Sequence, residues 1–253
     1  MSTGFNVKIN NLIKVFNNNK VVLNNISLNV HSGESIVILG ESGVGKSVFM
    51  RIVGMLLNPT SGSIKIHNQE TIGISNVDRN KLMEKVGFLF QYSGLFEHLT
   101  NWENVAFRKL FILKQNRKKC KEEAIEMLTR LGIKETAFEL KPNEISGGMQ
   151  RRVAMARTLM KEPNLILLDE PTSGLDPVMS NIINDVILKT RDVTKATMIT
   201  ITHDLHSALR ISDKIYVIRN GNFIWSGEKD KIFDSDDEYI KLFIKSSGMS
   251  FKV

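Results

Sequence analysis

The chain has 253 residues, 42% of them hydrophobic and 24% charged, with 34 basic and 27 acidic side chains giving a net charge of +7. That length buries roughly 70–75% of the unfolded surface, and the mix excludes a disordered tail, a collagen-like repeat and a disulfide scaffold, since the lone Cys120 has no internal partner and fits a reducing compartment. The excess positive charge gives only weak support to an anionic ligand, a membrane surface or nucleic acid, because a solvated basic surface explains it equally well.

Residues 1–14 lack the apolar core of a signal peptide. No apolar run approaches the ~20 residues of a bilayer-spanning helix, so a cytoplasmic protein that meets a membrane only through partners is expected. Period-two alternation predicts strands over 7–9, 13–16 and 26–30. A continuous apolar strand, 35–39, precedes a glycine-rich turn and a helix over 46–56. Asn58-Pro59-Thr60-Ser61-Gly62 turns the chain into a strand over 63–67, and a buried strand over 86–90 leads to Gln91. From about 102 to 131, Cys120, Ala124, Leu128 and Leu131 recur at helical spacing among charged residues, which predicts a helical subdomain inserted into an α/β core. Strand 165–168, helix 178–191, strand 197–202, helix 205–211 and strand 214–218 then alternate, the pattern of a mostly parallel sheet with helices on both faces. Asn220-Gly221 is a hairpin turn, and 229–253 reads as one or two short helices.

Gly40-Glu41-Ser42-Gly43-Val44-Gly45-Lys46-Ser47 satisfies G-x-x-x-x-G-K-[ST] and sits between a buried strand and a helix, where a phosphate loop belongs. Its glycines let successive backbone N–H groups point at a phosphate, and the helix N-terminus adds partial positive charge. Lys46 would reach the β- and γ-phosphates of a nucleoside triphosphate, and the Ser47 hydroxyl would ligate Mg²⁺. Asp169 ends the apolar run 165–168, at the strand end where α/β sheets place ligands, and suits the Mg²⁺ shell. Glu170 follows directly and is placed to orient and deprotonate a water.

Glu144-Ile145-Ser146-Gly147-Gly148-Met149-Gln150 begins a second helix with exposed N–H groups, although the chain holds one phosphate loop. Here the residues resemble the ATP-binding cassette family, whose signature is Leu-Ser-Gly-Gly-Gln; Ile145 and Met149 depart from it and leave the backbone site intact. The resemblance runs from Phe5 to about Gly227. It implies an α/β fold, a P-loop NTPase (RecA-like) core with an N-terminal antiparallel β subdomain and an inserted α-helical signature subdomain. One domain would cover 1–253: the β subdomain and core over about 1–91 and 160–227, the helical subdomain over 92–159, and a short tail over 228–253. By the same resemblance, Phe16 stacks on adenine, Gln91 touches Mg²⁺ and the attacking water, and His203 contacts the γ-phosphate. Ser146, Gly147 and Gly148 then serve the ATP of the opposite subunit in a homodimer, and Asp176 belongs to the loop that communicates across it. ATP and Mg²⁺ are the implied cofactors. Integral membrane permease subunits and accessory substrate-binding proteins are the implied partners, at the cytoplasmic face of the inner membrane, with no nucleic acid. His206 lacks the ligands for a zinc site, and Arg117, Lys118, Lys119 and Lys121 read as a solvated helix face.

Finer features narrow the subgroup: Val48 after Lys46-Ser47, Tyr92-Ser93-Gly94-Leu95-Phe96, Asn101-Trp102-Glu103-Asn104, Arg151-Arg152 and Pro177-Val178. Together they look like the ATPases of Mla/Mce-type phospholipid-trafficking transporters. Amino-acid importers are the neighbouring alternative. A soluble iron–sulfur assembly ATPase would carry an acidic residue after Ser-Gly-Gly. Tyr92, Leu95, Phe96, Leu99, Trp102 and Phe107 exceed what a surface connection needs, and part of this set is expected to form a groove for a permease helix, with Leu95 inside it.

Overall fold

The computed structural model describes residues 4–249 except Asn18; residues 1–3 of the opening segment and 250–253 of the expected tail lie outside the described residues. β1 (Val7–Phe16) and β2 (Lys20–Val30) form a hairpin, and β1 also pairs antiparallel with β4 (Ser61–Ile66), which carries the short β5 (Gln69–Glu70). The two strands expected over 7–9 and 13–16 are therefore one. Asn11 takes φ 48° and the register shifts between Ile9 and Leu12, so the buried positions slip by one residue there. That slip interrupts the period-two signal.

The second sheet has the order β10-β9-β3-β8-β7-β6, from β3 (Ser35–Leu39), β6 (Val86–Leu89), β7 (Leu165–Asp169), β8 (Thr197–Thr202), β9 (Lys214–Arg219) and β10 (Asn222–Glu228). All its pairs are parallel except the β9–β10 hairpin. Alternate residues of β3 face opposite ways. Ile36 and Ile38 join the antiparallel sheet and α1 (Lys46–Val53) in one core, whereas Val37 and Leu39 join the helices of the other face in a second core. Both faces of the central strands are thus dry, which explains why β3 and β7 read as near-continuous apolar runs.

Two helical segments carry detail that the sequence pattern does not mark. α2 (Asn76–Glu84) has almost no apolar periodicity and buries only Leu82, so no helical signal marks it; its readable cue is Ser75, whose hydroxyl accepts from Asp78 N–H at 3.1 Å in a capping turn. The inserted stretch is helical, as expected. It divides into α3 (Asn101–Phe107), a π-helical turn (Arg108–Ile112) and α4 (Arg117–Arg130), with Lys114 at φ 50° between them. α3 is opened by a full capping box between Thr100 and Glu103. α5 (Gly147–Leu159) packs on α3 and α4, and Cys120 is buried in that core as an inert apolar residue. Arg117 and Lys121 stand over the Trp102 ring at 4.8 and 5.4 Å, so half of the basic cluster serves packing. α6 (Pro177–Thr194), α7 (Leu205–Ile211) and α8 (Glu238–Ser246) complete the fold. Among the described residues no helix is long and apolar enough to cross a membrane.

Candidate active site

The C-terminal ends of three neighbouring parallel strands converge: β3 runs into the glycine-rich turn, β7 ends at Asp169, and β8 runs into His203. Gly43 and Gly45 take φ 85° and 108°, and a Cβ on Gly45 would stand 2.9 Å from the Val22 carbonyl. Only glycine makes that turn and that approach. The helix it opens, α1, differs from every other α-helix among the described residues. Each of the others has a side-chain oxygen on its first N–H groups, from Ser75, Thr100, Asn116, Ser146, Asp176, Asp204 and Asp237. α1 has Gly45, no side-chain cap and no acidic residue in its first turn. Its N–H groups and partial positive charge are open to a phosphate.

Lys46 is 5% exposed. Its ammonium donates to the carbonyls of Gly40 (2.7 Å) and Glu41 (3.0 Å) and lies 3.3 Å from Glu170 Oε1. The Ser47 hydroxyl meets Asp169 Oδ1 at 3.4 Å. A hydroxyl and a carboxylate are hard oxygen donors. They fit Mg²⁺, which binds proteins through one or two such groups and takes the rest of its shell from water and substrate phosphates. Ser47 and Asp169 would hold such an ion, which would supply positive charge against the phosphates.

Glu170 stands at φ 49°, a region that non-glycine residues avoid. Its N–H donates to the Ile201 carbonyl at 2.9 Å, and Arg151 donates to its carbonyl at 3.3 Å, which together hold the turn. The turn aims the carboxylate back over the sheet, where Oε2 accepts from Thr202 (3.3 Å) and meets His203 Nδ1 at 2.9 Å. An ionised Glu170 can only accept, so Nδ1 carries the proton, and Nε2 then donates to a phosphate oxygen only as imidazolium.

Burial raises the Asp169 carboxyl above the ordinary range and the charge of Glu170 adds to this; the Ser47 hydroxyl, Arg51 and Lys46 oppose it. A carboxyl raised in the folded state contributes stability that is complete below its unfolded pKa and lost as pH rises through its folded pKa. At neutral pH the ionised Asp169 therefore costs stability in the nucleotide-free protein. Asp169→Asn keeps the acceptor for Ser47. It should raise the nucleotide-free Tm at pH 7, with the gain shrinking as pH falls toward the acid range. The same variant should lose Mg²⁺-dependent ATP hydrolysis. Thermal melts across pH, beside an ATPase assay, check both; a lower Tm at pH 7 contradicts the burial argument.

Of the other expected site residues, Phe16 ends β1 with its ring 40% exposed and Lys14 above it at 4.9 Å. Its strand partner is Lys20, two residues from the Val22 carbonyl that touches the phosphate loop. Gln91 lies just beyond the end of β6, beside β7, but makes no hydrogen bond to Asp169 or Glu170 among the described contacts. Ser146 caps α5 by accepting from Met149 N–H at 3.3 Å; the Gly147 Cβ position is open, and that of Gly148 is filled by the Met179 methyl. No hydrogen bond or ion pair joins 146–148 to 40–47 among the described residues. Asp176 caps α6 through Val178 and Met179 N–H at 2.9 and 3.0 Å.

Several supporting residues escape sequence reasoning. Arg151 ties α5 to the carbonyls of Glu170 and Ser173, and burial lowers its pKa. Asn104 closes the loop after Gln91 by holding the Phe96 N–H and the carbonyls of Phe96, Leu99 and Thr100, and Arg157 holds those of Ser93 and Gly94. A groove of about 560 Å³ opens beside this loop, lined by Phe88, Phe90, Phe96 and Phe107 with Arg157 and Lys161 at its walls. The expected apolar set is split. Phe96 and Phe107 line the groove, stacked at 4.3 Å, while Leu99 and Trp102 are buried and Tyr92 is 89% exposed outside it. Leu95 packs inward on the helical core, so the expectation that it faces the groove is corrected.

Residues 23–173 match the family described as ABC transporter. A probable amino-acid ABC transporter ATP-binding protein of Haemophilus influenzae is 35% identical over 236 residues, 90% of this chain and 89% of that protein. The intermembrane phospholipid transport system ATP-binding protein MlaF of the same organism is 32% identical over 245 residues, 94% of this chain and 92% of that one. The glycine betaine/carnitine/choline transport protein OpuCA of Bacillus subtilis is 32% identical, but this chain spans only 62% of its length. Among solved structures, the dimeric post-hydrolysis state of the ATP-binding cassette MJ0796 bound to ADP and Pi superposes with a TM-score of 0.81 at 32% identity, over 88% of this chain and 98% of that one. A phosphate loop on an uncapped helix, in a fold matched over nearly its whole length, leaves one conclusion: the chain belongs to the ABC transporter family, as one of its ATP-hydrolysing cassettes.

Proposed function

We propose that the chain is the ATPase subunit of an Mla/Mce-type phospholipid transport system. It would work as a homodimer on the cytoplasmic face of the inner membrane, held there by integral permease subunits and served by accessory substrate-binding proteins. One observation carries the chemistry: Glu170 stands within reach of both Lys46 and His203 at the mouth of the phosphate loop. In this reading 40–47 cradles the phosphates, with Ser47 and Asp169 holding the metal and Gln91 adding a ligand once ATP is present. Glu170 takes the proton of the attacking water, His203 contacts the γ-phosphate and Phe16 stacks on adenine. Ser146, Gly147 and Gly148 serve the ATP of the partner, because one phosphate loop and one signature per chain pair only head to tail under two-fold symmetry. Asp176 then lies at the dimer seam.

The lipid assignment is supported by the near full-length likeness to MlaF, together with the Tyr92–Phe96 and Arg151-Arg152 features. The amino-acid relative, at slightly higher identity, favours an importer as the second reading. Mass spectrometry of the native complex in mild detergent separates them. Phospholipid copurifying with a permease supports the first reading, and an amino-acid-binding protein in its place supports the second.

The groove beside Phe96 supports permease docking, since large apolar patches on a soluble surface mark interaction sites. Phe96→Glu, which places a charge in the groove, should abolish copurification with the permease while ATP affinity of the isolated protein stays within about twofold. Pull-down from membranes and a nucleotide titration check the two halves. Leu95→Glu, by contrast, should lower the stability of the helical subdomain, because half-buried Leu95 packs against its core.

A further inference from the structure

The C-terminal segment lies against the nucleotide site. Past β10 a short 3₁₀ turn (Lys229–Asp234) leads into α8, whose Ile240 and Ile244 are buried in the helical-side core. The helix is docked firmly, and its outer face borders a cleft of about 1070 Å³ that also takes in Glu41, Ser42, His203 and Asp204. Each end of α8 meets a different part of the site. At its start, the Tyr239 ring is fixed under the Arg219 guanidinium at 4.2 Å, and its hydroxyl is buried without a hydrogen-bond partner among the described residues. Burial raises the phenol pKa and the neighbouring Glu41 carboxylate raises it further, while the Arg219 charge and the Glu41 backbone oppose this. Past its end, the Ser247 carbonyl meets His206 Nε2 at 3.1 Å, in the turn that Asp204 caps next to His203.

A buried hydroxyl without a partner is costly. The exposed Glu41 carboxylate is the acceptor beside it. We propose that Tyr239 is a positioning residue for the phosphate loop. Its hydroxyl donates to the Glu41 carboxylate and fixes the 40–42 turn, whose Gly40 and Glu41 carbonyls hold the Lys46 ammonium. α8 thereby spans the two halves of the nucleotide site, with the phosphate loop at one end and the segment after His203 at the other. This inference rests on the reading of 40–47 as the ATP site.

The test uses the full-length chain with ATP and Mg²⁺, comparing Tyr239→Phe, Glu41→Ala, the double variant and Lys46→Ala. Tyr239→Phe keeps the ring and its stack on Arg219, so the protein should still fold and melt cooperatively. The Kd and KM for ATP should rise about three- to tenfold, with kcat within about twofold, the effect of one hydrogen bond on ground-state binding. The double variant should bind no more weakly than Glu41→Ala alone, because both substitutions remove the same contact. Unchanged Kd in Tyr239→Phe, or effects that simply add, overturns the positioning role. If Lys46→Ala binds ATP like the wild type, the ATP-site reading itself fails, and this inference with it.

Discussion

Glu170→Gln should still bind ATP but turn it over about 10²–10⁴ times more slowly, the range associated with loss of a general base. The glutamine has the same shape and keeps the acceptor for Thr202, so the φ 49° turn held by Arg151 and Ile201 remains. What it loses is basicity. It also loses the charge between Lys46 and His203, and the phosphate loop is freed from a competing anion. ATP affinity should therefore stay the same or rise. A trapped, unhydrolysed ATP also completes the head-to-tail interface, so light scattering with ATP and Mg²⁺ should register a dimer, since a ligand bound at an interface stabilises the assembly. Wild-type hydrolysis by this variant would remove Glu170 from its role, and a persistent monomer with ATP bound would remove the head-to-tail arrangement for the isolated protein.

Lys46→Ala fails at the earlier step. Removing a charge-assisted contact to phosphate should weaken ATP binding by about tenfold to a hundredfold. The structure adds a second consequence. Lys46 is the buried cation facing Glu170, and deleting one member of a buried pair is destabilising because the other charge is left behind. Thr202 and His203 still hold Glu170, which limits the loss. The expected result is a lower Tm for Lys46→Ala, partly restored in Lys46→Ala/Glu170→Gln, where the stranded charge is gone. Melts of the four proteins form a double-mutant cycle. Strictly additive Tm changes would mean that the 3.3 Å approach contributes nothing to stability.

Some of this protein was legible in the sequence because its causes are local. The phosphate loop is a contiguous run whose glycines are demanded by its own backbone, and the apolar runs 35–39 and 165–168 advertise their burial. The Asn220-Gly221 turn and the cap at Ser146 are likewise short-range. Other features depend on residues far apart in the chain. The alternation in β1 fails because a bulge is imposed by its two neighbouring strands, and α2 has no apolar face because it covers the sheet with little more than Leu82. Arg151 stands in the sequence only as part of the Arg151-Arg152 feature, and its structural role appears when Glu170 and Ser173 are brought to it. Leu95 and Phe96 are adjacent apolar residues, yet one packs against the core and the other lines the groove, a choice made by how Asn104 and Arg157 close the loop around them. The approach of Tyr239 to Glu41 spans most of the chain. Periodicity records which residues must leave water, but not which partner each will meet, because that is decided when separate strands and helices pack together.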